Sequence, residues 1–576
     1  MSVASNKLWR FEATENAAAA QELANVLGLP LPIARVLVAR GHADLDSADL
    51  FLHPRLSRIG APEELPDMTE AAKRIWDAVD ARERVVVFGD YDVDGITSTA
   101  LMVQVLRKLG ADVVPFLPHR IEEGYGLSLE ALRRCIEDHN PRLIVTVDCG
   151  TGSVAAVEEA AKRGVDVIIT DHHQLGDALA PARAVVNPKR GENEDLKQLA
   201  GVGVAFKLCH GLVKYGRDQR RAIDVDLKPF LEWVALGTIA DVVPLVGENR
   251  ILSAHGLQRL RETANVGLNA LFEVAKLQKR AIGAYQVGFQ IGPRLNAAGR
   301  LGGAEAALEL LLCSEIGRAR VLAETLDQAN RERQDAETEI VAAALGELES
   351  RFDPARDFGL VVAGEGWSPG VIGIVASRLV QRFHRPVVVI SMLENGVGRG
   401  SCRSIEGFDI VAGLKACSEH LSKFGGHAMA AGLELKEGHC DAFAEAFNRA
   451  AESVLGGQDL RPILRIDGRI SLDEVDRAFF EAQERMRPFG MGNPGPIWAA
   501  SGVRIVNEPR ILKEKHLKLV VASGARQFDA MGWGMAERGI PRGPLDIAFR
   551  IKEDHFGGQS RLMLEMQDFR SAEKCD

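Results

Sequence analysis

Between Val85 and Thr99 the chain reads VVVFGDYDVDGITST, which puts Asp90, Asp92 and Asp94 on alternate residues ahead of Gly95. Carboxylates at this density hold a cation or share protons, because like charges so close repel one another unless something neutralises them. A calcium loop of the EF-hand type needs ligands at its first, third and fifth positions, glycine at the sixth and a bidentate glutamate at the twelfth. The first four fit, but the twelfth position is Leu101, and a β-branched run rather than a helix leads in. What remains is a strand delivering three carboxylates to its C-terminal end.

Groups of the same kind recur. Asp148 ends LIVTVD, Asp171, His172 and His173 follow VDVIIT, and Asp241 ends LKPFLEWVALGTIAD ahead of an apolar Val-Val-Pro. From about residue 80, apolar runs (RVVVFG, DVVPFL, LIVTVD, VDVIIT) alternate with helical stretches (ITSTALMVQVLRKLG, then Ser153 to Arg163), which predicts a parallel sheet covered on both faces. Such sheets bind ligands beyond the C-terminal ends of their strands. The converging acids and imidazoles fit a metal site, a proton-transfer site or a set of salt bridges. So many acids without cations would cost too much repulsion to be a structural device. Two divalent ions about 4 Å apart would neutralise them and clamp both oxygens of an in-line phosphoryl displacement. Phosphoester or phosphoanhydride hydrolysis is the chemistry expected first. A mostly oxygen shell with imidazole suits Mn²⁺, with Mg²⁺ as the alternative.

The elements that must position these groups fill a chain of 576 residues, enough for roughly three to five domains. With 46% apolar and 26% charged residues it reads as a globular protein, and no apolar run approaches the roughly 18 residues of a membrane span. The opening MSVASNKLWRFEATEN lacks the apolar core of a signal peptide, so a cytoplasmic location is expected. Eight cysteines without a C-x-x-C pair argue against a zinc knuckle and a disulfide framework. The net charge of −10 does not advertise a nucleic-acid binder, although the last 76 residues carry +2.

Residues 1–75 read as a helical segment without chemistry, and 76–302 as the parallel-sheet domain. A long connecting helix is expected over 303–352, broken once near Gly317. A smaller α/β domain follows over 353–458, its strands FGLVVAG and RPVVVIS flanking the helix GVIGIVASRLVQRF. The alternating runs of 459–576 predict a small β-barrel. GVGVAFKL (Gly201 to Leu208) lacks the Walker pattern and reads as tight helix packing. Adjacent strand residues face opposite ways, so His172 and His173 divide into one ligand and one substrate or supporting contact. His119, His210 and His384 read as ordinary, and Tyr125 suits packing as well as base stacking.

In order, DYDVDG, VDCGTG, TDHH and GTIADVVPL resemble the four motifs of the DHH phosphoesterase superfamily. EGYGLS, IGPRLNAAGR, GRGSCRS, FGGHAMAAG and RPFGMGNPGP narrow the resemblance to the RecJ family of bacterial single-stranded-DNA exonucleases, from about residue 40 onward. The resemblance implies that Asp94, Asp148, His172 and Asp241 hold one ion, and Asp92 and Asp148, with Asp90, the other. His173 would reach the scissile phosphate, and Asp171 would orient an imidazole. The second α/β segment would be a DHH-associated domain in which Arg399, Ser401, Arg403, Gly425, Gly426 and His427 cradle the backbone of the substrate. Arg294, Asn296 and Arg300 form a similar set beside the metals, and the barrel would be an OB-fold. There Lys513, Lys515, His516 and Lys518 would meet DNA, with Phe528 or Trp533 as stacking platforms.

The implied activity is 5′-to-3′ hydrolysis of single-stranded DNA to mononucleotides in repair and recombination. The implied setting is a monomer free of membranes that works with single-strand-binding protein and a RecQ-type helicase. Two other readings stand beside it. One is a phosphodiesterase for short oligonucleotides or cyclic dinucleotides, whose chains usually stop after two domains. The other is a catalytically dead scaffold, which eroded aspartates would betray; this chain keeps every metal position.

Overall fold

In the computed structural model, residues 7–12, 16–119, 123, 126–176, 178–301, 304–393, 396–554 and 560–572 are described; the side chains of residues 298, 300 and 301 are not. Tyr125 therefore lies outside the described residues.

The first α/β domain is built on five parallel strands: β1 (Arg84–Gly89), β2 (Asp112–Phe116), β3 (Leu143–Val147), β4 (Asp166–Thr170) and β5 (Ala184–Val186). Their spatial order is β2-β1-β3-β4-β5. The β-branched runs read from sequence are these strands, buried on both faces as a helix-covered parallel sheet requires. Strand order reverses between β1 and β3, and the crevice that opens at such a switch point is where doubly wound sheets bind ligands. One face packs against helices Val93–Lys108, Gly201–Asp218 and Leu231–Ala240 in the largest core of the molecule. The boundary expected at 75/76 needs correction, because helix Met68–Ala81 runs through it and packs into that same core.

The long helix is continuous from Ile316 to Arg351, and the break falls at Cys313–Glu315, just ahead of Gly317. The second α/β domain carries more strand than two runs. GRGSCR (Gly398–Arg403), LSKFGGH (Leu421–His427) and AAGLEL (Ala430–Leu435) join Leu360–Glu365 and Val387–Met392 in one five-stranded sheet. Their glycines hid the strand pattern from sequence reasoning, since glycine weakens a strand unless a close approach needs it. Gly426 meets that condition: its φ is +148°, and a Cβ there would lie 2.5 Å from Ala430 O.

At the C-terminal end, strand Trp498–Ile505 pairs with both Leu545–Asp554 and His516–Ser523. Arg561–Ser571 and Arg526–Gly532 complete the ring, closing a five-stranded barrel. The N-terminal segment belongs here: Leu8–Phe11 pairs in parallel with Ile463–Ile466, and the helices between Ala17 and Leu52 share the barrel's core. Arg250 pins this body to the first domain. Its buried guanidinium donates to Phe51 O (2.7 and 3.0 Å) and Met486 O (2.9 Å). Among the described residues, no helix is long and apolar enough to cross a membrane.

Candidate metal centre

The carboxylates arrive on separate elements, and each is aimed by a backbone feature. After β1 the chain turns sharply into helix Val93–Lys108, where Asp92 is the N-cap and accepts from the Gly95 amide at 3.0 Å. The amide of Val93 donates to Asn296 Oδ1 at 3.0 Å, fixing the loop from the opposite side. Asp94, fully buried, accepts from the Gly201 and Val202 amides at 2.7 and 2.8 Å. The amides at the start of helix Gly201–Asp218, which have no partner within the helix, thus serve a carboxylate of this chain. Gly201 is needed for space, because a Cβ there would lie 2.5 Å from Asp148 Oδ1. At Gly237 a Cβ would meet Asp94 Oδ1 at 2.8 Å.

Asp148 leaves β3 in the left-handed region (φ 62°), which a short polar side chain tolerates better than most. Two threonines brace that turn: Thr146 Oγ1 donates to Cys149 O at 2.7 Å, and Thr170 Oγ1 to Thr146 O at 2.8 Å. Beyond β4, Asp171 Oδ1 accepts from the His172 and His173 amides and lies 2.8 Å from His173 Nδ1, while Oδ2 accepts from the Thr151 amide. Saturated in this way, Asp171 orients the two histidines. His172 Nε2 lies 3.2 Å from Asp148, 3.6 Å from Asp241 and 3.8 Å from Asp94. Asp241 caps helix Leu231–Ala240, and Val242 after it is an exposed β-branched residue at φ 61°. Leu245 N donates to Met491 O at 2.8 Å, tying that strained segment to the loop of the RPFGMGNPGP run.

The structure therefore brings together all eight residues expected at the centre. Ligand atoms of Asp90, Asp92 and Asp148 lie within 4.8 Å of one another, as do those of Asp94, His172 and Asp241. Asp148 Oδ1 and His172 Nε2 are buried without a hydrogen-bond partner among the described residues. Among the described residues neither oxygen of Asp90 has a hydrogen bond of good geometry, although the Tyr91 and Gly126 amides favour its charged form. Buried orphans of this kind are costly unless something satisfies them. Burial and the Asp92 charge push Asp90 up to about 8, and the same two causes push Asp241 up to about 7. Asp94 and Asp148 are also raised well above the usual carboxylate range, by burial and by their acidic neighbours. Burial, then the neighbouring His173, lowers His172 to about 4, leaving a neutral imidazole. Burial opposes charge on His173, but the Asp171 hydrogen bond and charge outweigh it and raise its pKa. Crowded carboxylates that cannot all ionise unaided, with a neutral imidazole among them, fit divalent cations.

Sequence reasoning missed Lys189 and Lys197, which line a cleft of about 270 Å³ with His172, His173 and His427. They stand in NPKRGENEDLKQLAG, where a charge run gives no sign of its position. His427 comes from the second domain, so the sheet of that domain faces the centre. By strand register its one face carries Lys423, Gly425 and His427, then Ala430, Gly432 and Glu434, then Arg399, Ser401 and Arg403. Gly426 points to the other side, where residues such as Ala431, Leu433 and Cys402 form the core, so it shapes the strand rather than the exposed face.

Arg294 is engaged within the protein, donating to Asp327 at 2.8 Å and Gln290 O at 2.7 Å. Arg300 sits on helix Gly292–Leu301, and its side chain lies outside the described part of the structure. In the barrel, Lys513 and Glu514 make a tight exposed turn (φ 50° and 58°) with Lys515 beside it, and Lys518 pairs with Asp529 at 2.9 Å. Phe528 needs correction as a stacking platform: at 9% exposure it belongs to the barrel core. Trp533 is 53% exposed, edge-on to His516.

Comparison with known proteins agrees with this geometry. Residues 84–238 match the DHH family N-terminal domain, 357–453 the DHHA1 domain, and 466–568 the RecJ OB domain. The single-stranded-DNA-specific exonuclease RecJ of Bacillus subtilis is 37% identical over 93% of this chain and 67% of its own length. That of Escherichia coli K12 is 37% identical over 87% and 90%. The crystal structure of Thermus thermophilus RecJ in complex with Mn²⁺ superposes with a TM-score of 0.84 at 30% identity, covering 99% of this chain and 80% of that one. With its parallel-sheet metal centre, second α/β domain and closed barrel in this order, the chain belongs to the RecJ family of single-stranded-DNA-specific exonucleases.

Proposed function

We propose that this chain is a metal-dependent exonuclease that hydrolyses single-stranded DNA from the 5′ end to mononucleotides, in DNA repair and recombination. The observation that carries the reading is the set of buried orphan atoms on Asp90, Asp148 and His172, the last of which lines a cleft together with His427 of the second domain. Asp94, Asp148, His172 and Asp241 would hold one Mn²⁺ or Mg²⁺ ion, and Asp90, Asp92 and Asp148 the other, with Asp148 shared. When bound, two such ions supply Lewis-acid activation of water and neutralise charge on the phosphoryl group.

The chain's own groups do the rest. Asp171 fixes His173 through Nδ1, so its Nε2 faces away from that carboxylate, the orientation in which it would carry a proton toward the leaving oxygen. Lys189, Lys197 and His427 border the same cleft and oppose the charge of the phosphate. Arg399, Arg403 and Lys423, around the side-chain-free Gly425 and Gly432, let a phosphodiester backbone lie close to the sheet. Arg294 and Asn296 support the metal loop and the long helix, and Arg300 completes that set as a substrate contact. In the barrel, Lys513, Lys515, Lys518 and Trp533 hold strand leaving the centre.

The working unit is a cytoplasmic monomer with 68–302 as catalytic domain, 303–352 as connecting helix, 353–458 as DHH-associated domain and 459–576 as the nucleic-acid-binding barrel. The helix at Met68–Ala81 is counted with the catalytic domain, and 1–67 is the segment that braces the barrel. Its partners are single-strand-binding protein, which holds the substrate, and a RecQ-type helicase, which produces it. The test is metal-stripped protein given Mn²⁺ and single-stranded DNA labelled at either end, beside Asp148→Ala and a cyclic dinucleotide. Mononucleotides released from the 5′ end by the wild type alone support the reading. Hydrolysis confined to the dinucleotide, or DNA binding without hydrolysis, contradicts it.

A further inference from the structure

Two of the most exposed aromatic side chains among the described residues sit together, away from the barrel. Tyr285 (63% exposed) and Phe289 (70%) are one turn apart, their ring centroids 5.0 Å apart and their planes inclined by 30°. They project from the segment Ala284–Leu301, whose other face is anchored by the fully buried Val287, Ile291 and Leu295. Its turn Val287–Ile291 is π-helical, a widened geometry found mostly at functional sites. Leaving two rings in water forgoes the stabilisation their burial would bring, so the pair calls for an occupant.

The rings border a cleft of about 930 Å³ between the first domain, the long helix and helix Ile372–Phe383 of the second domain. One end of the cleft reaches the metal centre, because Ala240 and Asn296 line it: Ala240 precedes Asp241, and Asn296 holds the Val93 amide. The other wall reaches the cationic sheet, because the helix that contributes Ser377 and Arg378 carries Gly373 in its first turn, where a Cβ would lie 2.9 Å from Ser401 Oγ. Both cations of the cleft are neutralised within the protein, Arg333 and Arg378 each donating to Glu337, and Asp335 is exposed beside them. The uncharged polar lining is Asn296, Gln334, Gln381, Ser377 and Thr338; the two hydroxyls donate to their own helices and keep lone pairs to accept with, and the amides match base edges better than phosphates.

We infer that Tyr285 and Phe289 form a stacking platform for bases of the single strand, in a cleft that receives bases while the neighbouring sheet carries the phosphates. The inference rests on the proposed nuclease reading and adds a base subsite to it. Stacking on an aromatic side chain is sequence-tolerant, since every base has a π-face. The pair would therefore raise affinity for long strands without choosing among sequences.

The test uses the full chain and a twelve-residue deoxyoligonucleotide carrying one 2-aminopurine, with binding measured in EDTA. Tyr285→Ala and Phe289→Leu each weaken binding about tenfold and dequench the probe, and Phe289→Trp restores both. With Mn²⁺, the ratio of kcat/KM on the oligonucleotide to that on the p-nitrophenyl phosphodiester of thymidine falls by a similar factor. Equal loss on both substrates, or unchanged oligonucleotide affinity with an active wild type, overturns the platform and leaves the nuclease reading standing. A wild type that binds the oligonucleotide but hydrolyses neither substrate removes the nuclease reading, and the EDTA binding data then decide the platform alone.

Discussion

The two α/β sheets place polar groups by opposite means. In the parallel sheet, Asp90, Asp148 and Asp171 follow three different strands and meet because the topology ends those strands side by side. In the mixed sheet of the second domain, Arg399, Ser401 and Arg403 come from one strand and share a face because side chains alternate. The first arrangement is buried, crowded and mutually dependent. The second is a more open strand face: Arg399 is exposed, and Arg403 is half-buried and donates to Cys402 O. Convergence by topology gives a site that one substitution can destroy, whereas display by alternation gives a surface that degrades in steps.

The largest effect should come from the shared carboxylate. Asp148→Asn is expected to reduce Mn²⁺-dependent hydrolysis of single-stranded DNA by roughly a thousandfold or more, since it removes a group from both ligand sets. In metal-free protein near neutral pH the same change should raise the thermal midpoint, because folding forces the Asp148 carboxyl to take up a proton against its burial and acidic neighbours, a cost that the neutral amide does not carry. A lowered metal-free midpoint would break the comparison on the buried side.

Gly201→Ala comes next. Its Cβ would overlap Asp148 Oδ1, and overpacking of this kind costs about 1–3 kcal/mol. Mn²⁺ affinity measured by calorimetry should fall about tenfold, or roughly 1.4 kcal/mol, with the fold retained.

pH gives a comparable handle. Burial and the Asp92 charge hold Asp90 near 8 and Asp241 near 7, so protons compete with the cation for these oxygens. Raised carboxylate pKa values mean that the ligands ionise only as pH rises through 7 and then 8. Mn²⁺ affinity should therefore rise between about pH 6.5 and about pH 8.5, with proton release visible as a buffer-dependent heat.

On the open face, effects should be small and additive. Arg399→Ala and Arg403→Ala are each expected to raise KM for single-stranded DNA a few-fold and to flatten the salt dependence of binding by about 0.7 per cation. A thousandfold loss from either would mean that the face behaves like a second buried centre.

Much of the centre was legible in sequence because its residues sit at strand ends, and the β-branched strands of a buried parallel sheet announce themselves. Asp90 through Asp94, Asp148, Asp171 through His173 and Asp241 could be named with no structure. What surrounds them was not legible. Gly201 and Gly237 matter for the atoms that come near them, and sequence spacing carries no information about those contacts. GRGSCRS and FGGHAMAAG show no strand pattern because glycine carries no strand signal, although the alternation of Arg399, Ser401 and Arg403 is a clue. Phe528 could have been assigned to the core: Phe528, Ala530 and Gly532 are alternate, buried residues of one strand. Tyr285 and Phe289 follow helical spacing, which reads as a buried stripe until the opposite stripe of Val287 and Ile291 is found to hold the core. Nothing local links the N-terminal helices to a barrel more than 400 residues away.

The most direct measurement is the stoichiometry of Mn²⁺ bound to metal-stripped protein near pH 8, by electron paramagnetic resonance or calorimetry. The account predicts two ions per wild-type chain, spin-coupled through a shared ligand, and loss of both tight sites in Asp148→Asn. A single uncoupled ion, or two ions retained by that variant, would contradict it.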